Sequence, residues 1–338
     1  MIKEAIKKAV DCKNLTREEA ESSMKEIMSG EATPSQIACF ITALRMKGET
    51  IEEITGCAAQ MRAHANTIHP KAKHLVDTCG TGGDISHTLN VSTISALVAA
   101  GAGVQIAKHG NRSVSSKCGS ADLLEALGVK IDIEPKAVEA CINEVGIGFI
   151  FAPKFHPAMK HAMPSRREIG IRTIFNILGP LTNPANAQAQ ILGVFDEKLT
   201  KMMAEVLSNL GTKEAMIVHG MDGLDEISIG AETKVSHLKD GKIKTYTIQP
   251  GDFGIAKGSK KDIVVGGIEE GKKAALEVLE GKDKGAKRNI VVLNAAAAIT
   301  VGGKSKDIKQ GIELAGKSID SGAAIKKLHE LIKFTNKG

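Results

Sequence analysis

The segment His74-Leu75-Val76-Asp77-Thr78-Cys79-Gly80-Thr81-Gly82-Gly83-Asp84 decides the fold. Its apolar start reads as a short strand, and the strand runs directly into a loop where glycine fills positions 80, 82 and 83. Glycines placed this way let backbone N–H groups turn inward and come close to an anion. Between a strand and a helix, such a loop is either a plain turn or a cradle for phosphate or pyrophosphate. It is not a Walker loop, because no Gly-Lys-Ser/Thr follows, and its spacing is not the G-x-G-x-x-G of a dinucleotide fold. Asp84, closing the loop, is suited to a ribose hydroxyl or a metal ion.

Downstream, Asn90-Val91-Ser92-Thr93 opens a helix expected over 92–100. Ser92 and Thr93 are good capping residues, and beside the cradle their hydroxyls can also reach a phosphate or a magnesium ion. A strand at 104–108, a helix at 121–127 and a strand at 129–133 follow. Further strands are expected at 148–151, 191–195 and 215–218, with a hairpin over 233–248 turned at Asp240-Gly241. Helices at 287–300, 306–318 and 321–334 close the chain. This alternation predicts an α/β protein with a mostly parallel central sheet flanked by helices.

Upstream, the first 66 or so residues read as helices. Thr16 with Glu19, Thr33 with Gln36 and Thr50 with Glu53 form three capping boxes. Pro34 takes the favoured first helical position, while Gly30 and Gly48 provide left-handed exits. Ile37, Phe40, Ile41 and Leu44 recur at helical spacing as one apolar face. A small helical domain packed against a larger one is the expected organisation.

Composition narrows the function. The chain has 338 residues, 42% hydrophobic but only 3% aromatic, with no Trp and Tyr246 as the sole Tyr. Aromatic platforms for stacking bases are scarce, which counts against single-stranded nucleic-acid binding. A net charge of +6 suits an anionic small substrate as well as weak nucleic-acid binding. The six cysteines are scattered without a C-x-x-C pair, as in a reduced, cytoplasmic protein. Neither a signal peptide nor a membrane span is read.

Several clusters carry chemistry. Lys108-His109-Gly110-Asn111-Arg112 ends a strand, where ligands of open parallel sheets sit. Ser115-Ser116-Lys117-Cys118-Gly119-Ser120 is a second small-residue loop, with a lysine for another phosphate oxygen. Phe155-His156-Pro157-Ala158-Met159-Lys160 and Ser165-Arg166-Arg167-Glu168-Ile169-Gly170-Ile171-Arg172 follow, then Gly179-Pro180-Leu181-Thr182-Asn183-Pro184. Arginine suits a two-pronged grip on a carboxylate, although most of three neighbouring arginines belong to the surface. Asp222-Gly223-Leu224-Asp225-Glu226 puts paired acids after a strand, as magnesium prefers.

Taken in order, Gly-Thr-Gly-Gly-Asp at 80–84, Asn-Val-Ser-Thr at 90–93, Lys-His-Gly-Asn-Arg at 108–112 and Gly-Ser-Ala-Asp at 119–122 form an ordered series. His-Pro-Ala-Met-Lys at 156–160, Gly-Pro-Leu-Thr-Asn-Pro at 179–184 and Gly-Leu-Asp-Glu at 223–226 complete it. Along essentially its whole length, the chain resembles the anthranilate phosphoribosyltransferase family. The resemblance implies the two-domain nucleoside phosphorylase type of fold, with a helical domain over 1–70 completed by helices from about 155–185, and an α/β domain over 71–338. It implies a homodimer through the helical domain, and domain closure about 66–72 and 155–185.

By position, the resemblance gives Gly80, Thr81, Gly82, Gly83, Asp84, Thr88, Asn90, Val91, Ser92, Thr93, Lys108 and Ser120 to phosphoribosyl pyrophosphate. Gly80, His109, Asn111, His156, Arg166 and Gly179 would line the anthranilate site, and Ser92, Asp225 and Glu226 would hold Mg2+. Lys108 and Arg166 would act in catalysis, Arg166 being preferred to Arg167 for its spacing from His156 and Gly170. His87 falls in a variable stretch and receives no role. Cys79 and Cys118 stand where small residues are usual and are read as packing. Within the same fold, a pyrimidine nucleoside phosphorylase would need no acidic pair at 225–226. A non-enzymatic nucleic-acid-binding relative would show a concentrated basic face and damaged motifs.

Overall fold

The computed structural model describes residues 1–72, 74–82, 88–113 and 118–337. Four helices lead: α1 (Ile2–Val10), α2 (Arg17–Met28), α3 (Pro34–Lys47) and α4 (Ile51–Ala63). All three capping boxes form with both arms in place, at Thr16/Glu19, Thr33/Gln36 and Thr50/Glu53. The face of Ile37, Phe40, Ile41 and Leu44 is buried. Glu53 does more than cap. Its carboxylate accepts from the Leu15 and Thr50 amides at 2.8 Å and pairs with Lys47 at 2.9 Å, with side-chain exposures of 0% and 4%.

The larger unit then alternates: β1 (Leu75–Gly80), α5 (Val91–Gly101), β2 (Gln105–Gly110), α6 (Ser120–Ala126), α7 (Pro135–Val145) and β3 (Ile147–Phe151). Three short helices follow, α8 (Ala152–Phe155), α9 (Met163–Ile169) and α10 (Phe175–Leu178). Next come β4 (Ala189–Gly193), α11 (Leu199–Asn209), β5 (Glu214–Gly220), β6 (Thr233–Lys239) and β7 (Lys242–Ile248). The helices α12 (Ile268–Leu279), α13 (Ala286–Val301), α14 (Ile308–Asp320) and α15 (Ala323–Thr335) close the chain.

Among the described residues, seven strands form one sheet in the order β3-β2-β1-β4-β5-β6-β7. The first five in that order run parallel, and β6 and β7 add an antiparallel hairpin. Asp240 and Gly241 make its turn, both with positive φ, as the sequence predicts. One apolar cluster packs α5 and α13 against the sheet. A second runs without a break from α1–α4 through Ala162, Phe175, Leu178 and Leu181 into α11 and the other face of β4 and β5.

One expected element is absent: residues 129–133 are not a strand. Val129 and Ile131 are buried, so the alternation is real, but it serves packing. The Lys130 amide donates to Thr335 Oγ1 at 3.2 Å, so its hydrogen bond goes to the end of α15. The stretch feeds Pro135 and α7 without meeting a sheet edge.

The link between the first helices and β1 is tied down at both ends. The Asn66 amide donates to Phe155 O at 2.8 Å and the Ile68 amide to Pro184 O at 3.1 Å. From the end of α4, Arg62 donates Nε to Leu181 O at 2.7 Å and Nη1 to Leu210 O at 3.2 Å.

Candidate active site

The strands β1, β2, β4 and β5 each end in glycine, at 80, 110, 193 and 220. The reason is close approach. A Cβ on Gly80 would overlap the Asp225 carboxylate, and one on Gly193 would overlap the Asp225 main chain. The acidic turn after β5 therefore lies directly over the ends of β1 and β4. Asp225 Oδ2 accepts the Gly82 amide at 2.8 Å, and Glu226 Oε1 accepts the Ser92 amide at 3.1 Å. Both carboxylates thus converge on the glycine loop and the N-terminus of α5. An acid at a helix N-terminus is favoured by the exposed N–H groups there. The third nearby acid, Asp222, turns away and accepts the Ser228 hydroxyl at 2.7 Å.

The described part of the loop is held from beneath. The Thr81 amide donates to Gly193 O at 2.9 Å, and Thr81 Oγ1 accepts the Phe195 amide at 3.1 Å. Gly82 has a positive φ of 63°. Gly83, Asp84 and His87 lie outside the described residues, as do Ser115, Ser116 and Lys117.

Helix α5 starts at Val91 with Asn90 as its N-cap, so Ser92 and Thr93 lie in the first turn and are not the caps the sequence suggests. Asn90 makes no capping bond; its Nδ2 donates to Cys118 O at 2.9 Å, and its Oδ1 has no partner among the described residues. Val91 is buried. The Thr93 hydroxyl is buried without a partner among the described residues, and its amide donates to Asn90 O at 3.1 Å. Thr88 pairs with Val264 in an isolated bridge.

Lys108, 2% exposed, lies under the loop. Its ammonium donates to Thr78 O at 2.5 Å and to Ser92 Oγ at 3.3 Å. Burial lowers its pKa, opposed chiefly by the neighbouring Asp77 charge. Lys108 thus meets the donor side through Ser92.

At the end of β2 two buried imidazoles meet. The rings of His109 and His156 lie 5.1 Å apart, both buried, and neither Nε2 has a partner among the described residues. Burial, then the neighbouring His156, pushes His109 well below its ordinary pKa, against hydrogen bonding to the Gly179 backbone. Burial also pushes His156 down to about 4, against hydrogen bonding to the Thr182 backbone. A backbone contact that favours the protonated ring must be an acceptor, so each imidazole rests on a carbonyl of the 179–182 turn. Both rings are neutral near pH 7, each with a buried Nε2 that has no partner among the described residues.

Asn111 is exposed at the mouth of this region; its Oδ1 accepts the Arg112 amide at 2.7 Å, and its carbonyl accepts the Ser120 hydroxyl at 3.3 Å. Arg112 is a surface tie to α6, paired with Asp122 at 3.0 Å and Glu125 at 2.7 Å.

The arginines of 166–172 divide. Arg167 is exposed, and Arg172 covers the Phe195 ring at 4.6 Å. Arg166 on α9 is partly buried, 5.1 Å above the Phe175 ring, and donates to Met163 Sδ at 3.7 Å. No carboxylate pairs with it among the described residues. Its underlying Phe175 opens α10, which leads to Gly179. No described contact joins Arg166 to His109 or His156.

The donor set at 225–226 and Ser92 is oxygen only. That suits a hard cation which keeps waters and takes phosphate oxygens, as magnesium does. The described residues contain no group of three His, Cys, Asp or Glu placed for a metal ion.

Sequence reasoning missed three participants: Asp77 beneath His109, Gln190 on β4 and Gly193 under Asp225. The available signal was a charged or amide side chain inside an apolar strand, in Leu75-Val76-Asp77 and in Gln190-Ile191-Leu192.

Known proteins resemble this chain in sequence and in fold. Residues 3–65 match the model of the glycosyl transferase family helical bundle domain, and residues 72–325 match that family's a/b domain. The anthranilate phosphoribosyltransferase of Acetivibrio thermocellus is 56% identical, over 99% of this chain and 97% of its own. That of Desulfosudis oleivorans is 53% identical over 99% of each. The crystal structure of the Thermus thermophilus enzyme superposes with a TM-score of 0.93 at 42% identity, covering 98% of this chain and 99% of its own. The Saccharomyces cerevisiae enzyme, solved in complex with PRPP and Mg, gives 0.91 at 29% identity, covering 100% and 98%. With both parts of the chain matched and relatives more than half identical from end to end, the chain belongs to the anthranilate phosphoribosyltransferase family.

Proposed function

We propose that this chain transfers the phosphoribosyl group of phosphoribosyl pyrophosphate to the amine of anthranilate, giving N-(5-phosphoribosyl)anthranilate and pyrophosphate, a step of tryptophan biosynthesis. The observation that carries the reading is the convergence of Asp225 and Glu226 on the glycine loop and the N-terminus of α5, in a site whose β2 strand ends at the His109–His156 ring pair. The pyrimidine nucleoside phosphorylase reading leaves that acidic pair without a task, and a nucleic-acid-binding role leaves the intact site without one.

The donor's anionic groups meet the glycine loop and the Ser92 hydroxyl at the start of α5, whose oxygen already accepts from Lys108. Asp225, Glu226 and Ser92 hold Mg2+, which when bound places positive charge against the pyrophosphate. The amine nitrogen bonds to C1 of the ribose as the C1–oxygen bond to pyrophosphate breaks, its electron pair leaving with pyrophosphate. Charge on the sugar develops in an oxocarbenium-like manner, so positioning and leaving-group stabilisation dominate. Arg166, a guanidinium on an aromatic face with no described carboxylate partner, takes the anthranilate carboxylate. The aryl amine is neutral near pH 7, so no single residue is an indispensable base, and its proton leaves with the departing pyrophosphate or to water. Lys108 serves as a buried cation beneath Ser92.

The remaining assignments belong to the same reading. The helical domain spans 1–70, completed by helices within 155–185, and the α/β domain spans 71–338; Ser165 Oγ on Pro34 O at 3.0 Å supports that completion. A homodimer through the helical domain and a cytoplasmic location fit a biosynthetic enzyme. Among the described residues, no helix is long and apolar enough to cross a membrane.

Anthranilate fluorescence provides the test. A decay that requires protein, phosphoribosyl pyrophosphate and magnesium together, and is abolished by Asp225→Asn with Glu226→Gln, supports donor, acceptor and metal at once. Folded protein that binds the donor yet leaves anthranilate unconsumed overturns the acceptor assignment.

A further inference from the structure

The strands β1 and β2 are not zipped along their length. Backbone register is present at Leu75↔Gln105 and Val76↔Ile106, whereas β1 and β4 stay registered as far as Gly80↔Gly193. Beyond Val76, side chains bridge β1 and β2 where a ladder would otherwise run. Lys108 Nζ donates to Thr78 O at 2.5 Å, and the His109 amide donates to Asp77 Oδ1 at 3.1 Å. Asp77 is 0% exposed. Its other oxygen accepts from Gln190 Nε2 at 3.4 Å, and the same amide group donates to Pro180 O at 2.6 Å.

A core strand position after Leu75 and Val76 is filled at lower cost by an apolar side chain, because burying a carboxylate is expensive unless it is fully engaged. Asp77 does what an apolar residue cannot: it accepts from β2 on one side and from β4 on the other. We propose that Asp77 is a positioning residue which, together with Gln190, fixes His109 and the 179–183 turn as one unit and so sets the acceptor side of the site.

That turn is gripped throughout. Gln190 holds Pro180 O, Arg62 holds Leu181 O at 2.7 Å, Thr182 Oγ1 holds Gly179 O at 2.9 Å, and Asn183 Nδ2 reaches back to Ala107 O on β2 at 2.8 Å. The two site histidines rest on its backbone at Gly179 and Thr182. Asp77 therefore bears on His109 directly and on both rings through Gln190 and Pro180. The Gly82 and Ser92 amides go to Asp225 and Glu226, and the link of Asp77 to the donor side is its charge near Lys108. In Asp77→Asn the Nδ2 hydrogens face the Gln190 amide group, so Gln190 must turn and release Pro180 O, or the contact is lost.

The proposal rests on anthranilate being the acceptor, and the test separates the two. Steady-state kinetics of Asp77→Asn and Gln190→Leu should show an anthranilate KM raised about tenfold or more; in Gln190→Leu, which keeps the Asp77 charge near Lys108, the phosphoribosyl pyrophosphate KM should stay within about twofold of the parent protein. A merely structural role raises both KM values together. That result, or no change in either, overturns the proposal, and Gln190→Leu decides if Asp77→Asn does not fold. Hydrogen exchange on the ligand-free variants gives a readout without turnover. Faster exchange at 179–183, with 80–82 unchanged, is expected; unchanged exchange at 179–183 also overturns it. If the parent protein ignores anthranilate, the acceptor assignment fails by itself, and the exchange result alone decides the role of Asp77.

Discussion

Gly193 lies so close beneath Asp225 that a Cβ there would overlap the Asp225 carbonyl, and Gly80 is in the same position against the carboxylate. The glycine that ends β4 is thus part of the acidic turn's seat, although it lies 32 residues earlier in the chain. Gly193→Ala should push the 225–226 turn off the loop. Overpacking against backbone costs roughly 1–3 kcal/mol of stability. The sharper effect should be donor affinity in the presence of magnesium, weakened about tenfold or more by calorimetry. Donor affinity equal to the parent's would show that the turn's seat is irrelevant to the donor.

Arg166→Ala should leave donor binding intact and raise the anthranilate KM roughly 10- to 100-fold, the range for losing charge-assisted hydrogen bonds to a carboxylate. Arg166→Lys should recover only part of this, because an ammonium lacks the planar fork. Lost donor affinity with unchanged acceptor kinetics would remove Arg166 from the acceptor site.

His156 gives the fold a pH dependence of defined sign. Its pKa falls to about 4 in the folded protein from an ordinary value of 6.5, so the unfolded chain binds a proton more readily across that window. Stability from this residue is complete above about pH 6.5 and is lost as pH falls toward 4. By pH 5 the loss is about 2 kcal/mol. Urea denaturation at pH 7 and pH 5 should show a smaller difference for His156→Asn than for the parent protein. An identical difference would place the ring in solvent.

Lys47 and Glu53 form a buried pair at 2.9 Å. Glu53→Ala leaves the ammonium only the neutral acceptors Asn14 Oδ1 and Gly48 O, and removes the acceptor of the Leu15 and Thr50 amides. A loss of about 3–5 kcal/mol is expected. Glu53→Gln should cost less, since its carbonyl can still accept. Thermal unfolding that ranks the two variants in the opposite order would contradict a buried charge pair.

Local order was legible along the chain. The capping boxes at Thr16, Thr33 and Thr50 depend on residues three apart, and the Asp240-Gly241 turn depends on two neighbours with positive φ. Short-range steric and hydrogen-bonding preferences decide such features before any long-range contact forms. The glycine loop and the acids at 225–226 were equally visible as chemistry. The stretch 129–133 shows the limit of pattern: alternation guarantees a buried face, but a strand needs an open sheet edge, and here Thr335 satisfies the backbone instead.

What the sequence by itself determined is the capped helices at the start of the chain, the parallel α/β architecture and the chemical types at the strand ends. What the tertiary structure alone decided is which of those groups meet. Asp225 reaches Gly82 across 143 residues, Asp77 meets Gln190 across 113, and Thr93, a good cap by type, turns its hydroxyl into the core. The physical reason is that parallel strands order themselves 3-2-1-4-5 in the sheet, so neighbours in space are set by strand pairing and by glycines small enough to allow contact. Neither of these long-range choices is encoded in any local stretch of the chain.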